Sequence, residues 1–276
     1  QLQKVKDNLA VRIDKTTTEK FNVLKSFAKE KVPVYFIDNE EFFSSRRSIY
    51  GYWDDAHRFQ FFDLAVLEML KTVGFRPDVI HCHDWHAGLI PWYLKTRYRK
   101  LFSKPIATIY TIHNLQYQGI INEKFAKEEE KDDGRSQLPL FDSGRTYTIN
   151  FTKRGIIHSD LVNAVSPQYA RDILTPKYGE GLDKLLRENR GKLYGSVNGI
   201  DYDIFSPATD KNIKVRYYLN SIEKKYANKA LLQQAFGLKE EKDVPLIGMA
   251  SRLAAQKGID MIMRIMPSLL KLNFQF

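Results

Sequence analysis

Cysteine occurs once in this chain, at Cys82, which excludes an internal disulfide and suits a reducing interior. No run approaches the roughly 20 apolar residues needed to cross a bilayer, so no membrane-spanning helix is expected. Residues 1–20 are polar and lack the apolar centre of a secretory signal. The chain has no Gly-x-x-x-x-Gly-Lys-Ser/Thr loop, no RNA- or DNA-reading motif and no repeat of short period. Its formal net charge of +10 raises the question of nucleic acid. The basic residues are scattered, however, and Glu128-Glu129-Glu130 with Asp132-Asp133 interrupts them, so the excess reads as a solvated surface that also suits anionic small molecules. With 43% hydrophobic and 28% charged residues, the 276-residue chain has an ordinary globular composition. It is long enough for one large domain or two smaller ones, each with a core.

Four short apolar runs each end in polar, chemically capable residues. Val79-Ile80 leads into His81-Cys82-His83-Asp84-Trp85-His86, and residues 106–112 lead into His113-Asn114. Residues 161–165 lead into Ser166-Pro167, and 246–250 into Ser251-Arg252 with Lys257 five positions on. In an open parallel sheet, ligands bind outside the carboxyl ends of the strands. Several loops of this chain are therefore expected to build one site.

The remaining pattern predicts a helix over 15–30, with Phe21, Leu24 and Phe27 on one face, and a strand over 32–37. A strong helix is expected to run to about Val73, capped by Asp54 or Asp55 and ended by Gly74 and Pro77. A strand at 79–83, a helix over 86–98 and a strand at 106–112 follow, then a polar loop or hairpin over 123–144. Next come a short helix at 151–157, a strand at 161–165, and a helix from Pro167 to about Leu174 capped by Ser166. A strand at 193–197 precedes a linker over 200–210, a helix over 222–236 and a strand at 245–250. Alternating strands and helices with apolar strands indicate an α/β fold with a parallel, doubly wound sheet.

Each cluster admits more than one reading. The His81–His86 run resembles the His-x-His-x-Asp-His loop of zinc hydrolases, but the Asp falls one place early and Trp85 fills its slot. Structural hydrogen bonding at a strand end, or an organic ligand accepted by Asp84 beside the apolar face of Trp85, are the other readings. His113 and Asn114 both donate and accept, which suits a hydroxyl-rich ligand, although taken alone a buried structural His is the more ordinary reading. Arg252 and Lys257 at a strand-to-helix junction suit a phosphate or diphosphate, or form an exposed basic turn. Asp201-Tyr202-Asp203 spells an Asp-x-Asp metal signature, yet its neighbours Gly199, Phe205 and Pro207 read as a turn.

Taken together, the clusters resemble the bacterial glycogen synthase and plant starch synthase family. The matching strings are IHCHDWHAGLIPWYLK (80–95), TIHNLQYQG (111–119), FTKRGIIHSDLVNAVSPQYARDI (151–173), GLDKLLR (181–187), GKLYGSVNGIDYDIFSPATD (191–210) and IGMASRLAAQKGID (247–260). YFIDNEEFF (35–43) and YGYWDDAHRFQFF (50–62) fit as well. The resemblance implies a GT-B architecture, two Rossmann-like domains facing a cleft. It implies transfer of glucose from a nucleotide sugar, in bacteria usually ADP-glucose, to the non-reducing end of an α-1,4-glucan (glycogen or starch), with retention. No metal or other cofactor, no nucleic acid and no membrane is implied, and the compartment is the cytoplasm, or the plastid in a plant.

By the same resemblance His113 lies beside the transferred glucose and Asp84 is a carboxylate lining the same cleft, with Trp85 next to it. Asn114 and Asn198 sit near the sugar and its phosphates, Arg252 and Lys257 neutralise the departing diphosphate, and Tyr52 or Tyr50 stacks on the acceptor. Residues 1–198 are expected to be the acceptor-side domain without its first strand and Lys-x-Gly-Gly loop. Residues 199–276 are expected to be a linker and the start of the nucleotide-sugar domain. The rivals are another retaining GT-B enzyme such as a sucrose synthase-like protein, a non-catalytic glucan binder, and a zinc hydrolase. The HDWH and HNLQYQG strings favour the glucan synthases, and a pure sugar binder has no use for a diphosphate clamp.

The chain opens at Gln and stops at Phe276 without a closing element, so it reads as a piece cut at both ends, and little or no activity is expected from it alone. Incorporation of labelled glucose into glycogen at an ordinary enzymatic rate by purified material of this length would refute that.

Overall fold

The computed structural model of the chain describes residues 2–29, 31–100, 102, 104–120, 127–140, 143–253 and 257–276. Two compact units divide it, Gln1–Asn198 and Gly199–Phe276.

The first unit holds two sheets. Strands β1 (Gln3–Arg12), β2 (Thr18–Ala28) and β3 (Val32–Asp38) form an antiparallel sheet in that order. The helix expected over 15–30 is therefore a strand. Phe21 and Val23, two apart, are its buried residues, so the apolar period is 2 and not 3.6. Threonines at 16–18 and Val23 favour extended backbone, and pairing on both edges decides the matter. Asp14 makes the β1–β2 turn, its Oδ1 accepting the amides of Thr16 at 2.7 Å and Thr17 at 2.8 Å.

Helix α1 (Asp55–Thr72) follows and packs against β1, β2 and β3 on one side and the 85–95 region on the other. It is buried around most of its circumference, which is why Arg58 and Asp63 are interior. Neither expected cap forms in the usual way. Asp55 instead accepts the amides of Gly51 (2.6 Å) and Tyr52 (3.1 Å), and the buried Arg58 donates to Asp55 and to the Phe42 carbonyl. These bonds strap the 42–55 loop to the helix.

The second sheet is parallel, in the order β4 (Val79–His83), β5 (Ala107–Ile112), β6 (Leu161–Ala164) and β7 (Leu193–Gly195), as the apolar runs predict. Cys82, Tyr110, Ile112, Val162 and Ala164 form its buried face. The helix expected over 86–98 is shorter: a 3₁₀ turn at Trp85–Ala87 precedes α2 (Ile90–Lys95), which has Pro91 in its first turn. Helix α3 (Phe151–His158) is capped by Asn150 and α4 (Pro167–Asp172) by Ser166, whose hydroxyl accepts from Tyr169 N at 2.9 Å. Helix α5 (Asp183–Glu188) completes the unit. The polar stretch over 123–144 falls partly outside the described residues. Within it, Asp132 is tied to Arg154 of α3 by a buried two-pronged ion pair (2.7 and 2.9 Å).

In the second unit, 3₁₀ turns at Leu219–Lys224 lead into α6 (Lys225–Ala235), and α7 (Ile259–Leu269) lies near the end. The strand expected at 245–250 forms no ladder among the described residues. It makes one parallel bridge, Leu246 to Gln275, and a strand needs more pairing than that to satisfy its backbone.

One buried group gives the fold a pH dependence. Asp63 of α1 is 0% exposed, accepts the Leu89 amide at 2.9 Å through Oδ2, and has no partner for Oδ1 among the described residues. Burial pushes its carboxyl well above the usual range, against the pull of the Leu89 and Ile90 amides. The folded chain therefore keeps a proton that the unfolded chain releases above about pH 4, and stability falls as pH rises from there. Asp63→Asn keeps the acceptor and removes the titration. Its urea-unfolding free energy is expected to exceed the parent's increasingly from pH 5 to pH 8, and a constant difference across that range would count against a protonated Asp63.

Candidate functional site

Parallel pairing sets His83 opposite Thr111, so β4 and β5 run out together and the next residues on each, Asp84 and His113, are neighbours. Asp84 is the pivot. Its φ of 55° and ψ of −175° lie in a region that residues other than glycine rarely occupy, at a cost of about 1–3 kcal/mol. Its amide donates to the Thr111 carbonyl (2.9 Å) and its carbonyl accepts from Ala87 (3.2 Å). Its carboxylate Oδ1 accepts the amides of His113 (2.8 Å) and Asn114 (3.4 Å). The side chain closes the gap between two strand ends, while Oδ2 has no partner among the described residues.

Strand alternation sends His81 and His83 to the exposed face of the sheet and Cys82 into the core. His81 Nε2 lies 2.7 Å from Thr111 Oγ1, which also accepts from Asn163 Nδ2 at 3.2 Å. The His81 and His83 rings stack with centroids 4.2 Å apart, and His83 Nδ1 lies 3.0 Å from Nε2 of the exposed His113. Partial burial holds both His81 and His83 below the ordinary imidazole range. His113 adds to this for each, and Asp84 opposes it at His83. Burial likewise pushes the Cys82 thiol up. For the zinc reading, His86 lies against Trp85 at 4.0 Å, and among the described residues no group of three His, Cys, Asp or Glu is arranged to hold a metal.

The loop after β5 is held from several sides. Asn114 Oδ1 accepts from Gln116 N (3.1 Å), and Tyr169 OH accepts from Leu115 N (3.0 Å). Gln118 is buried, donating to Glu180 O (2.8 Å) and accepting from Asn150 Nδ2 (2.6 Å). Gly119, at φ 75°, lies under the Trp85 ring, where a Cβ would come within 2.6 Å of Cε3.

Asp84, His113 and Asn114 are thus brought together, and two expectations need correction. Trp85 offers no face to a ligand: it is 8% exposed, edge-on to Phe59 (4.7 Å) and Phe151 (6.0 Å), because the turn at Asp84 drives it inward. Tyr52 is no free stacking platform, since the Arg46 and Arg58 guanidinium groups lie 5.0 and 5.1 Å from its ring and its hydroxyl accepts from Ser48 N. Tyr50, 51% exposed and 6.0 Å from the His86 ring, is an open aromatic of that loop, as is Trp53. Asn198 is exposed at the end of the first unit. In the second unit Arg252 and Lys257 are both exposed; residues 254–256 between them lie outside the described residues. Asp201 and Asp203 belong to a turn, with Asp203 N donating to Asp201 Oδ1 at 3.0 Å. Sequence reasoning missed the fixing roles of His83, Tyr169 and Gln118. Only the pairing register of β4 with β5 could have signalled the first.

Residues 1–188 match the family described as the starch synthase catalytic domain. A glycogen synthase of Clostridioides difficile (strain 630) is 50% identical over 251 residues, 88% of this chain and 52% of that protein. One from Thermosipho africanus (strain TCF52B) is 43% identical over 279 residues, 100% of this chain and 56% of that protein. The catalytic domain of starch synthase IV from Arabidopsis thaliana, solved with ADP and acarbose bound, superposes with a TM-score of 0.84 at 32% identity, covering 100% of this chain and 56% of that one. The likeness bears out the α/β, GT-B expectation. The chain spans about half the length of the curated relatives it matches.

The strained turn has a measurable signature. Asp84→Ala keeps the unfavourable backbone and loses the acceptor, whereas Asp84→Gly loses the acceptor but relaxes the backbone. The Ala protein is expected to lose about 1–3 kcal/mol in urea unfolding, and the Gly protein roughly 1 kcal/mol less than that. Equal losses would mean that the turn stores no strain.

Proposed function

The chain belongs to the starch synthase catalytic domain family, and from that premise we propose that the protein transfers glucose from ADP-glucose to the non-reducing end of an α-1,4-glucan with retention of configuration. The observation that carries this reading is the meeting of Asp84, His113 and Asn114, all within family strings, at the carboxyl end of a parallel sheet. That a 32% identical relative binds ADP and acarbose supports an adenine nucleotide donor and a saccharide acceptor.

In the first unit, the exposed imidazole of His113 contacts the transferred glucose, and Asn114 and Asn198 contact the sugar and its phosphates. The free Oδ2 of Asp84 accepts a sugar hydroxyl while Oδ1 holds the loop. Tyr50 takes the acceptor-stacking role in place of Tyr52. In the second unit, Arg252 and Lys257 bind the diphosphate. Lys257 stands directly before Gly258, which caps α7, so the positive end of that helix adds to the side-chain charge. As the bond from the anomeric carbon to the diphosphate breaks, negative charge grows on the leaving oxygens. Fixed cations stabilise that state more than the ground state, which is what lowers a barrier. Residues 1–198 are the acceptor-side domain and 199–276 the linker and start of the nucleotide-sugar domain. The cytoplasm is the compartment for this reaction in a bacterium.

The test is an assay of ADP-glucose and UDP-glucose with a glycogen primer, in a polypeptide extended to the length of its relatives. Arg252→Ala and Lys257→Ala are each expected to lower turnover by roughly 10²–10³-fold, about 3–4 kcal/mol, and to weaken ADP binding. His113→Ala is expected to reduce turnover more than ADP affinity. Wild-type turnover in either cation variant would remove the diphosphate assignment, and loss of ADP affinity alone in His113→Ala would move that ring to the nucleotide.

A further inference from the structure

We propose that His83 is a positioning residue for the reaction, its hydrogen bond to His113 fixing the plane of the imidazole that meets the sugar and coupling that ring's tautomer to its own. The inference rests on the reading of His113 given above and extends it to a residue that touches neither substrate.

The geometry follows from register. His83 pairs with Thr111 across the parallel ladder, and His113 is the next residue on the same face beyond Thr111. The two rings therefore stand side by side, with His83 Nδ1 3.0 Å from His113 Nε2. His83 is itself held: its ring lies on that of His81 at 4.2 Å, and His81 is anchored to the buried Thr111 hydroxyl at 2.7 Å. His113 is consequently fixed at two points, its main chain by Asp84 and its ring by His83.

The hydrogen bond between the two imidazoles contains one proton, and this couples their tautomers. If His113 donates from Nε2, His83 accepts at Nδ1 and carries its own proton on Nε2. If His83 donates from Nδ1, His113 accepts at Nε2 and carries its proton on Nδ1. Both rings thus have the same tautomer, so the free Nδ1 of His113 accepts from a sugar hydroxyl when both protons are on Nε2 and donates to one when both are on Nδ1. The groups facing His83 are His81, His113 and Asp84; partial burial and the two imidazoles keep it neutral near pH 7, against the opposing carboxylate.

The chain has six histidines, few enough for long-range proton–nitrogen correlation spectra of a nitrogen-15-labelled sample to report each ring's tautomer. In the parent, His83 and His113 are expected in one common tautomer at pH 7.5, and opposite tautomers would overturn the proposal without any variant. His83→Phe keeps a ring on His81 but cannot hydrogen-bond, so the His113 ring-nitrogen signals are expected to shift as that ring is released from its partner. An unchanged His113 spectrum in a folded His83→Phe protein overturns the proposal.

In a polypeptide of the relatives' length, His83→Phe is expected to lower kcat by roughly 10- to 100-fold, with the KM for ADP-glucose within about twofold of the parent. His83→Asn, whose amide reaches toward the Nδ1 position, is expected to recover most of that loss; a loss equal to that of Phe would overturn the hydrogen-bond explanation. Parental turnover in His113→Ala would instead refute the sugar-site reading, a failure distinct from an unaltered His113 spectrum.

Discussion

Everything at the carboxyl edge of the parallel sheet depends on the carboxylate of Asp84 accepting the amides of the neighbouring strand's loop. The bond is short, at 2.8 Å to His113, and it is made from a backbone conformation that only glycine adopts freely. Glycine has no acceptor, and a longer acidic side chain would carry its oxygens past the amides. An aspartate in this strained turn therefore does two things at once: it pins the β5 loop to the β4 loop, and it turns the chain so that Trp85 enters the core. Strain of this kind persists only where the surroundings over-determine it. Here the amide, the carbonyl and one carboxylate oxygen of the residue are all engaged.

The core on which this edge rests is organised by α1. Because that helix lies between the antiparallel sheet and the 85–95 region, its polar residues have to be satisfied internally. Arg58, 1% exposed, secures the loop bearing Tyr50 by bonds to the Phe42 and Ile49 carbonyls, and Asp63 holds the amide of Leu89 where α2 begins. The same helix packs Phe59 against both Trp85 and His86. A change in the helix core is thereby transmitted to the loops by packing as well as by hydrogen bonds.

The parallel sheet was legible because its strands are short apolar runs whose ends carry polar residues, and His113 and Asn114 could be picked out for the same reason. The antiparallel sheet was not. Residues 15–30 fit a helical period through Phe21, Leu24 and Phe27 as well as a strand period through Phe21 and Val23, and only pairing with β1 and β3 decides between them. Trp85 and Tyr52 failed for another reason. Residue type says that an aromatic ring can stack on a sugar, but whether its face is free depends on contacts with Phe59, Phe151, Arg46 and Arg58, which come from distant or oppositely directed parts of the chain. The run 245–250 was apolar enough for a strand, yet its described neighbours supply a single bridge.

The two kinds of polar group in the chain divide by chemistry. The row from His81 through His83 to His113 presents rings that both donate and accept, and the depressed basicity of His81 and His83 keeps those two uncharged at neutral pH. Neutral donor–acceptor groups match hydroxyls, which need orientation more than charge, and an imidazolium row would give up its acceptors for repulsion among like charges. Arg252 and Lys257 are the opposite case: they carry charge and no acceptor, which suits anionic oxygens such as those of a phosphate. The nucleotide sugar proposed as donor presents both kinds of surface. On the proposed reading, cations alone would hold the diphosphate and leave the sugar free to turn, and the donor–acceptor rings of the first unit supply the orientation that charge lacks.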